Sequence, residues 1–155
     1  MPHQRSLRKG RVSAPGQIYL CTTVTLLRRK LFIDWRFGRS VVTSLMWHDL
    51  YGYTTTLAYV VMPDHCHWLF VLGEKRRLAD VMAAMKKHSA KLINQALGTS
   101  GPIWQPGFHD HALRSDEQIE HVAWYVIHNP VRAGIIDDIW HYPLWDAMWL
   151  PNSAG

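Results

Sequence analysis

The chain is predicted to fold as an α+β domain with the element order β-α-β-β-α-β followed by one added helix. Three observations predict it. β-Branched and aromatic residues gather in four separate runs, apolar residues recur at helical spacing between and after them, and the two middle runs are separated only by Pro63 and Asp64.

Residues 1–16 are polar, basic and interrupted by Pro2, Gly10, Pro15 and Gly16, and read as a flexible arm. Order is expected from Gln17, in one domain over 17–150 with a short tail at 151–155. Residues 18–27 hold Ile18, Tyr19, Thr22, Thr23, Val24 and Thr25, a composition suited to a pleated strand. In 37–50 the apolar Val41, Val42, Leu45 and Met46 fall on one helical face, with Ser44, His48 and Asp49 on the other. Residues 53–62 and His65–Leu72 are again β-rich, and a two-residue link forces them into an antiparallel hairpin. Leu78, Val81, Met82, Met85, Leu92 and Ile93 outline a second helix, which carries Lys86, Lys87 and Lys91 outward and stops near Gly98. A fourth strand is expected over 108–114. Ser115, with Gln118 three residues on, has the capping-box spacing for the start of a last helix. This order is the split βαβ arrangement of ferredoxin-like folds: an antiparallel sheet with strands one and three in its centre, helices on one face, and here a C-terminal helix added.

A length of 155 residues suits a single domain, and 48% hydrophobic with 19% charged residues excludes a disordered or fibrous chain. No apolar run is long enough to span a bilayer or to act as a signal peptide, so a soluble, cytoplasmic protein is expected. Cys21 and Cys66 are expected as reduced core thiols. The net charge is +5, and it is one-sided: Arg5, Arg8, Lys9, Arg11, Arg28, Arg29 and Lys30 all precede the first acidic residue, Asp34. Such a field attracts a polyanion, nucleic acid being the natural candidate, although a solvated basic tail has the same composition.

Side chains alternate along a strand, so His65 and His67 share a face and Cys66 takes the other. Two imidazoles so placed can reach one metal ion, but the pair alone does not separate metal ligands from histidines bonded within the protein. On the last helix, Tyr125 and Asn129 lie one turn apart beside the apolar stripe of Ile119, Val122 and Val126, with His121 and His128 close by. The plain reading is a packing tyrosine, with an asparagine marking the helix end before Pro130. His109 and His111 form a second same-face pair.

Three segments, YVVMPDHCHWLF from Tyr59, IWQPGFHDHALR from Ile103 and HVAWYVIHNPVRAGI from His121, together resemble the single-tyrosine HUH transposases, especially their REP-associated branch. A weaker likeness, PGQIYLCTTVTLLRRKLF from Pro15, extends it over most of the chain. The resemblance implies that His65 and His67 bind a divalent metal, that Asn129 completes its site, and that Tyr125 on the added, catalytic helix is the nucleophile. It implies cleavage and transfer of single-stranded DNA through a 5′-phosphotyrosine, on palindromic hairpins with a single-stranded flank, by a monomer or homodimer. Mg²⁺ or Mn²⁺ suits phosphate and amide oxygens best. The chain departs from the family at Tyr142, Pro143, Leu144, Trp145 and Asp146, where an aromatic-Pro-x-Ser-Ser pattern is common.

From charge placement, DNA contacts are expected from Arg5, Arg8, Lys9, Arg11, Arg28, Arg29, Lys30, Lys86, Lys87 and Arg132; the His109–Asp110–His111 segment is a competing constellation, with His111 a candidate contact to the metal or the scissile phosphate. Of the eight tryptophans, Trp47 and Trp124 are expected in packing and Trp104 as the base-stacking platform. Two other functions fit the same residues: a non-catalytic nucleic-acid-binding module of ferredoxin-like fold, and a small metal hydrolase built on His65, His67, His109 and His111.

Overall fold

A computed structural model describes residues 13–148. Arg5, Arg8, Lys9 and Arg11, with most of the expected arm and the tail, lie outside the described residues. The order is β1 (Ile18–Val24), α1 (Trp35–Leu50), β2 (Thr54–Met62), β3 (His65–Leu72), α2 (Leu78–Leu97), β4 (His109–Ala112), α3 (Ile119–Ile127), α4 (Asn129–Arg132) and β5 (Trp145–Ala147). The sheet is antiparallel throughout, in the order β4-β1-β3-β2-β5, with β1 and β3 inside as expected.

Helices cover both faces. On one, α1 and α2 pack Val41, Leu45, Val81, Met82, Met85 and Ile93 against Tyr19, Cys21, Tyr59, Val61, Cys66, Trp68 and Phe70. On the other, α3 sets Ala123 and Ile127 against Leu69, Leu57 and Ala58, and Val126 against Val60 and Met62. An extra residue in β2, where the register slips between Thr56 and Ala58, lets both Thr56 and Tyr59 turn toward the α1 and α2 layer. Thr56 is held there by the Asp49 carboxylate, which accepts from its backbone N–H and its hydroxyl, while the Trp68 indole N–H donates to the same hydroxyl. Both cysteines are buried in the core. No helix of the described residues is long and apolar enough to cross a membrane.

Five local features differ from expectation. The first strand ends at Val24, not 27: the Thr25 hydroxyl bonds the carbonyls of Arg29 and Asp64, and the chain turns at Leu26–Arg28. The last helix begins at Ile119, and Ser115 forms no capping box; the Glu117 carboxylate instead accepts from the Arg114 N–H and meets His111. The fourth strand is only His109–Ala112. A fifth strand, β5, was not expected; it joins β2 at the sheet edge, and the Val61 N–H donates to Leu144 O just before it. Residues 13–16, read as the end of the arm, are hydrogen-bonded to the domain through Leu78 N–H to Ser13 Oγ, Ala14 N–H to the Tyr19 hydroxyl, and Gly16 N–H to Leu72 O.

Candidate active site

β3 starts at His65, directly after the Pro63–Asp64 turn. The register sets Thr22 and Val24 of β1 on one side of His67 and His65, and Val60 and Met62 of β2 on the other. Cross-strand partners share a face, so both imidazoles stand on the face covered by α3. Their ring centroids are 4.8 Å apart and their planes cross at 83°.

Each ring is fixed through Nδ1. His65 Nδ1 lies 2.6 Å from Asp64 Oδ1, and because a carboxylate only accepts, Nδ1 carries the proton of this bond and Nε2 is the ring nitrogen outside it. His67 Nδ1 lies 2.8 Å from Thr22 Oγ1, leaving Nε2 as its other nitrogen. Such outer partners orient metal-binding histidines. Burial, helped by the charges of His65 and Arg132, pushes the His67 pKa down to about 4, so the ring is neutral at ordinary pH. Partial burial works to raise the Asp64 pKa, but the hydrogen bond and charge of His65, with the Arg28 guanidinium 3.2 Å away, hold it below its usual value.

α3 carries Tyr125, which is 65% exposed, while Val126 beside it anchors the helix on Val60 and Met62. α3 ends at Ile127, with His128 as its cap, and Pro130 occupies the first turn of α4, where its missing N–H costs nothing. The Asn129 Nδ2 donates to Val126 O at 2.8 Å, so the amide oxygen, the only atom of that group able to ligate a cation, stays outside this bond. Arg132 joins the two halves of the site: its guanidinium lies 3.6 Å above the Tyr125 ring, and its charge is among those acting on His67. The donors present fit a divalent cation: two imidazoles whose Nε2 atoms lie outside the Nδ1 bonds, and one amide oxygen.

Among the described residues, no group of three or more His, Cys, Asp or Glu is placed to hold a metal ion, which removes the four-histidine hydrolase arrangement. His111 is engaged by Glu117, at 2.8 Å. Lys86 is turned inward, its Nζ donating to the carbonyls of Gln105 and Gly107, each at 2.7 Å, and is not a projecting phosphate contact. Arg29 donates to Pro102 O, Lys30 is exposed near the same turn, and Lys87 is exposed on α2, across the sheet from the histidine pair. The exposure of Trp104 and Trp124 is the reverse of that expected. Trp104 is 5% exposed, packed on Phe32, with its indole N–H donating to Ser89 Oγ. Trp124 is 43% exposed on α3, its ring tilted over His128. Trp47 packs among Tyr51, Tyr53 and His88 as expected. Thr22 and Asp64 were not anticipated; only Asp64, next to His65, gave any signal in the chain itself.

The family model described as "Transposase IS200 like" matches residues 18–129. The chain is 31% identical over 86 residues to the REP-associated tyrosine transposase of Escherichia coli K12, covering 56% of this chain and 50% of that protein. It is 26% identical over 98 residues to a putative REP-associated tyrosine transposase of Haemophilus influenzae, covering 57% and 56%. The chain thus spans about half the length of the curated relatives it matches. A solved REP-associated tyrosine transposase bound to a REP hairpin shares the fold, with a TM-score of 0.68, 24% identity, and coverage of 87% of this chain and 79% of that one. A putative transposase from Deinococcus radiodurans shares it more distantly, with a TM-score of 0.52, 17% identity, and coverage of 75% and 93%. The match of the family model over most of the domain, His65, His67 and Tyr125 included, shows that this chain belongs to the IS200-like transposase family.

Proposed function

We infer that this chain cleaves and rejoins single-stranded DNA through Tyr125, acting where a palindromic hairpin meets an unpaired flank. The observation that carries the reading is the pair of oriented imidazoles, with His67 held neutral, on the sheet face covered by the helix that presents Tyr125. Family membership supports the reaction class, and the relative bound to a REP hairpin supports the substrate class.

His65, His67 and the Asn129 oxygen would hold a divalent ion, Mg²⁺ or Mn²⁺, which when bound would draw charge from a non-bridging phosphate oxygen. Asp64 and Thr22 keep the two rings aimed. Arg132 restrains the Tyr125 ring and brings positive charge to where the phosphate gains negative charge. The Tyr125 oxygen attacks phosphorus as its proton passes to water; the Oη–P bond forms, the P–O3′ bond breaks, and the departing 3′ oxygen takes up a proton. The 5′-phosphotyrosine conserves the phosphodiester bond energy, so a second 3′-hydroxyl reverses the step without ATP. Positioning offsets the weak nucleophilicity of a phenol whose reference pKa is about 10.

The test is incubation of end-labelled hairpin DNA bearing a single-stranded flank with Mn²⁺ and wild type, Tyr125→Phe or His65→Ala. A slower-migrating adduct on a denaturing gel is expected for wild type alone. Cleavage without an adduct would favour attack by water, and binding with no cleavage would favour a non-catalytic module.

A further inference from the structure

The turn at Leu26–Arg28 has a backbone that its residues do not favour. Leu27 (φ 57°, ψ 22°) and Arg28 (φ 51°) are consecutive left-handed residues, and neither is glycine. Such backbone is unfavourable for residues with a Cβ and persists only where the surroundings impose it. Here burial offers no compensation, because Leu27 is 85% exposed.

The surroundings that impose the turn are the walls of the candidate site. Thr25 is fully buried; its N–H donates to Asp64 O, and its hydroxyl to the carbonyls of Arg29 and Asp64. Leu26 N–H donates to Ile103 O, and the Arg28 guanidinium pairs with Asp64, the carboxylate that orients His65. The apolar tip is therefore mounted rigidly against the site. Arg28, Arg29 and Lys30 flank it, a charge pattern that draws a phosphate backbone past an exposed leucine.

Building on the reading that the chain acts on hairpin DNA, we propose that Leu27 is a strand-parting wedge, inserting at the junction of stem and single-stranded flank and unstacking the base step that leads into the active site. Proteins that kink DNA use leucine in this way, and the unstacking requires a rigid mount. The left-handed turn provides the mount, and the Asp64 clamp sets its register to the scissile phosphate.

The test uses the full chain and a DNA hairpin with a mixed-sequence flank, carrying 2-aminopurine at the first unpaired position. Leu27→Asn removes the apolar tip while tolerating left-handed backbone, and Leu27→Met restores an apolar tip. Binding of wild type and Leu27→Met is expected to raise 2-aminopurine fluorescence, and binding of Leu27→Asn is expected not to. Adduct yield with Leu27→Asn is expected to fall about tenfold on the hairpin, yet stay unchanged on a wholly unpaired oligonucleotide of the same flank. A fluorescence rise equal in Leu27→Asn and wild type, or absent from both while adducts form, would overturn the wedge. A rise in wild type and Leu27→Met alone, with no adduct on either DNA, would support the wedge and overturn the cleavage reading, so the two fail separately.

Discussion

Replacing Asp64 by Asn probes how the metal-binding end of the site is held. The change is nearly isosteric, so the side chain can still accept from His65 Nδ1, at 2.6 Å in the native arrangement, but without charge. Charge-assisted hydrogen bonds are roughly twice as strong as neutral ones, and loss of an outer partner of a metal-binding histidine typically weakens the metal about 10- to 100-fold. Because Asn keeps the geometry, the low end applies, about tenfold, or about 1.4 kcal/mol. The Asp64 side chain is only 18% exposed, so solvent does little to screen the lost interaction. Asp64→Asn also frees Arg28, and Arg28→Ala is the control that separates this effect. Titration of Mn²⁺ by calorimetry is expected to give about tenfold weaker binding for Asp64→Asn and near-native binding for Arg28→Ala. Equal affinity for wild type and Asp64→Asn would refute the claim that this carboxylate organises His65.

Three further outcomes follow from the packing. His48 is fully buried, its Nδ1 meets Ser44 O, and Nε2 has no partner among the described residues; burial foremost lowers its pKa, outweighing the Ser44 bond that would raise it. A lowered folded pKa means the unfolded chain takes up the proton first. Stability by urea titration should therefore hold above the unfolded value of about 6.5 and decline as pH falls below it, a slope that His48→Leu would reduce and that His67, at about 4 when folded, would share. A Cβ at Gly73 would lie 2.7 Å from Gly52 O and 2.9 Å from Tyr53 O, both backbone atoms, so Gly73→Ala should lose about 1–3 kcal/mol in denaturant unfolding; an unchanged midpoint would contradict the close approach. Trp104→Ala should cost about 3–5 kcal/mol of stability, whereas Trp124→Ala should spare stability and weaken single-stranded DNA binding in a fluorescence anisotropy titration; the opposite pattern would restore Trp104 as the stacking platform.

The hairpin and its histidine pair were legible because strand alternation is local: a two-residue link and a period of two place His65 and His67 on one face whatever the rest of the chain does. The helical turn relating Tyr125 to Asn129 was legible for the same reason. What escaped depends on distant partners. Thr22 reaches His67 across 45 positions through strand register, and nothing near Thr22 marks it. The three residues of β5 are too few to show alternation, and they pair only because the chain returns along β2. Trp104 has the composition of a surface aromatic in a Gly- and Pro-rich loop, but Ser89 and Phe32 draw it into the core. Lys86 reads as an outward charge until the loop carbonyls of Gln105 and Gly107 close over it.

The most direct measurement is mass spectrometry of the protein after reaction with hairpin DNA and Mn²⁺, with the peptides mapped following nuclease digestion. A nucleotide joined to Tyr125 through its 5′ phosphate is expected, and it is expected to be absent when His65 and His67 are replaced by Ala. DNA cleaved to a free 5′-phosphate with Tyr125 unmodified, or a nucleotide found on another residue, would contradict it.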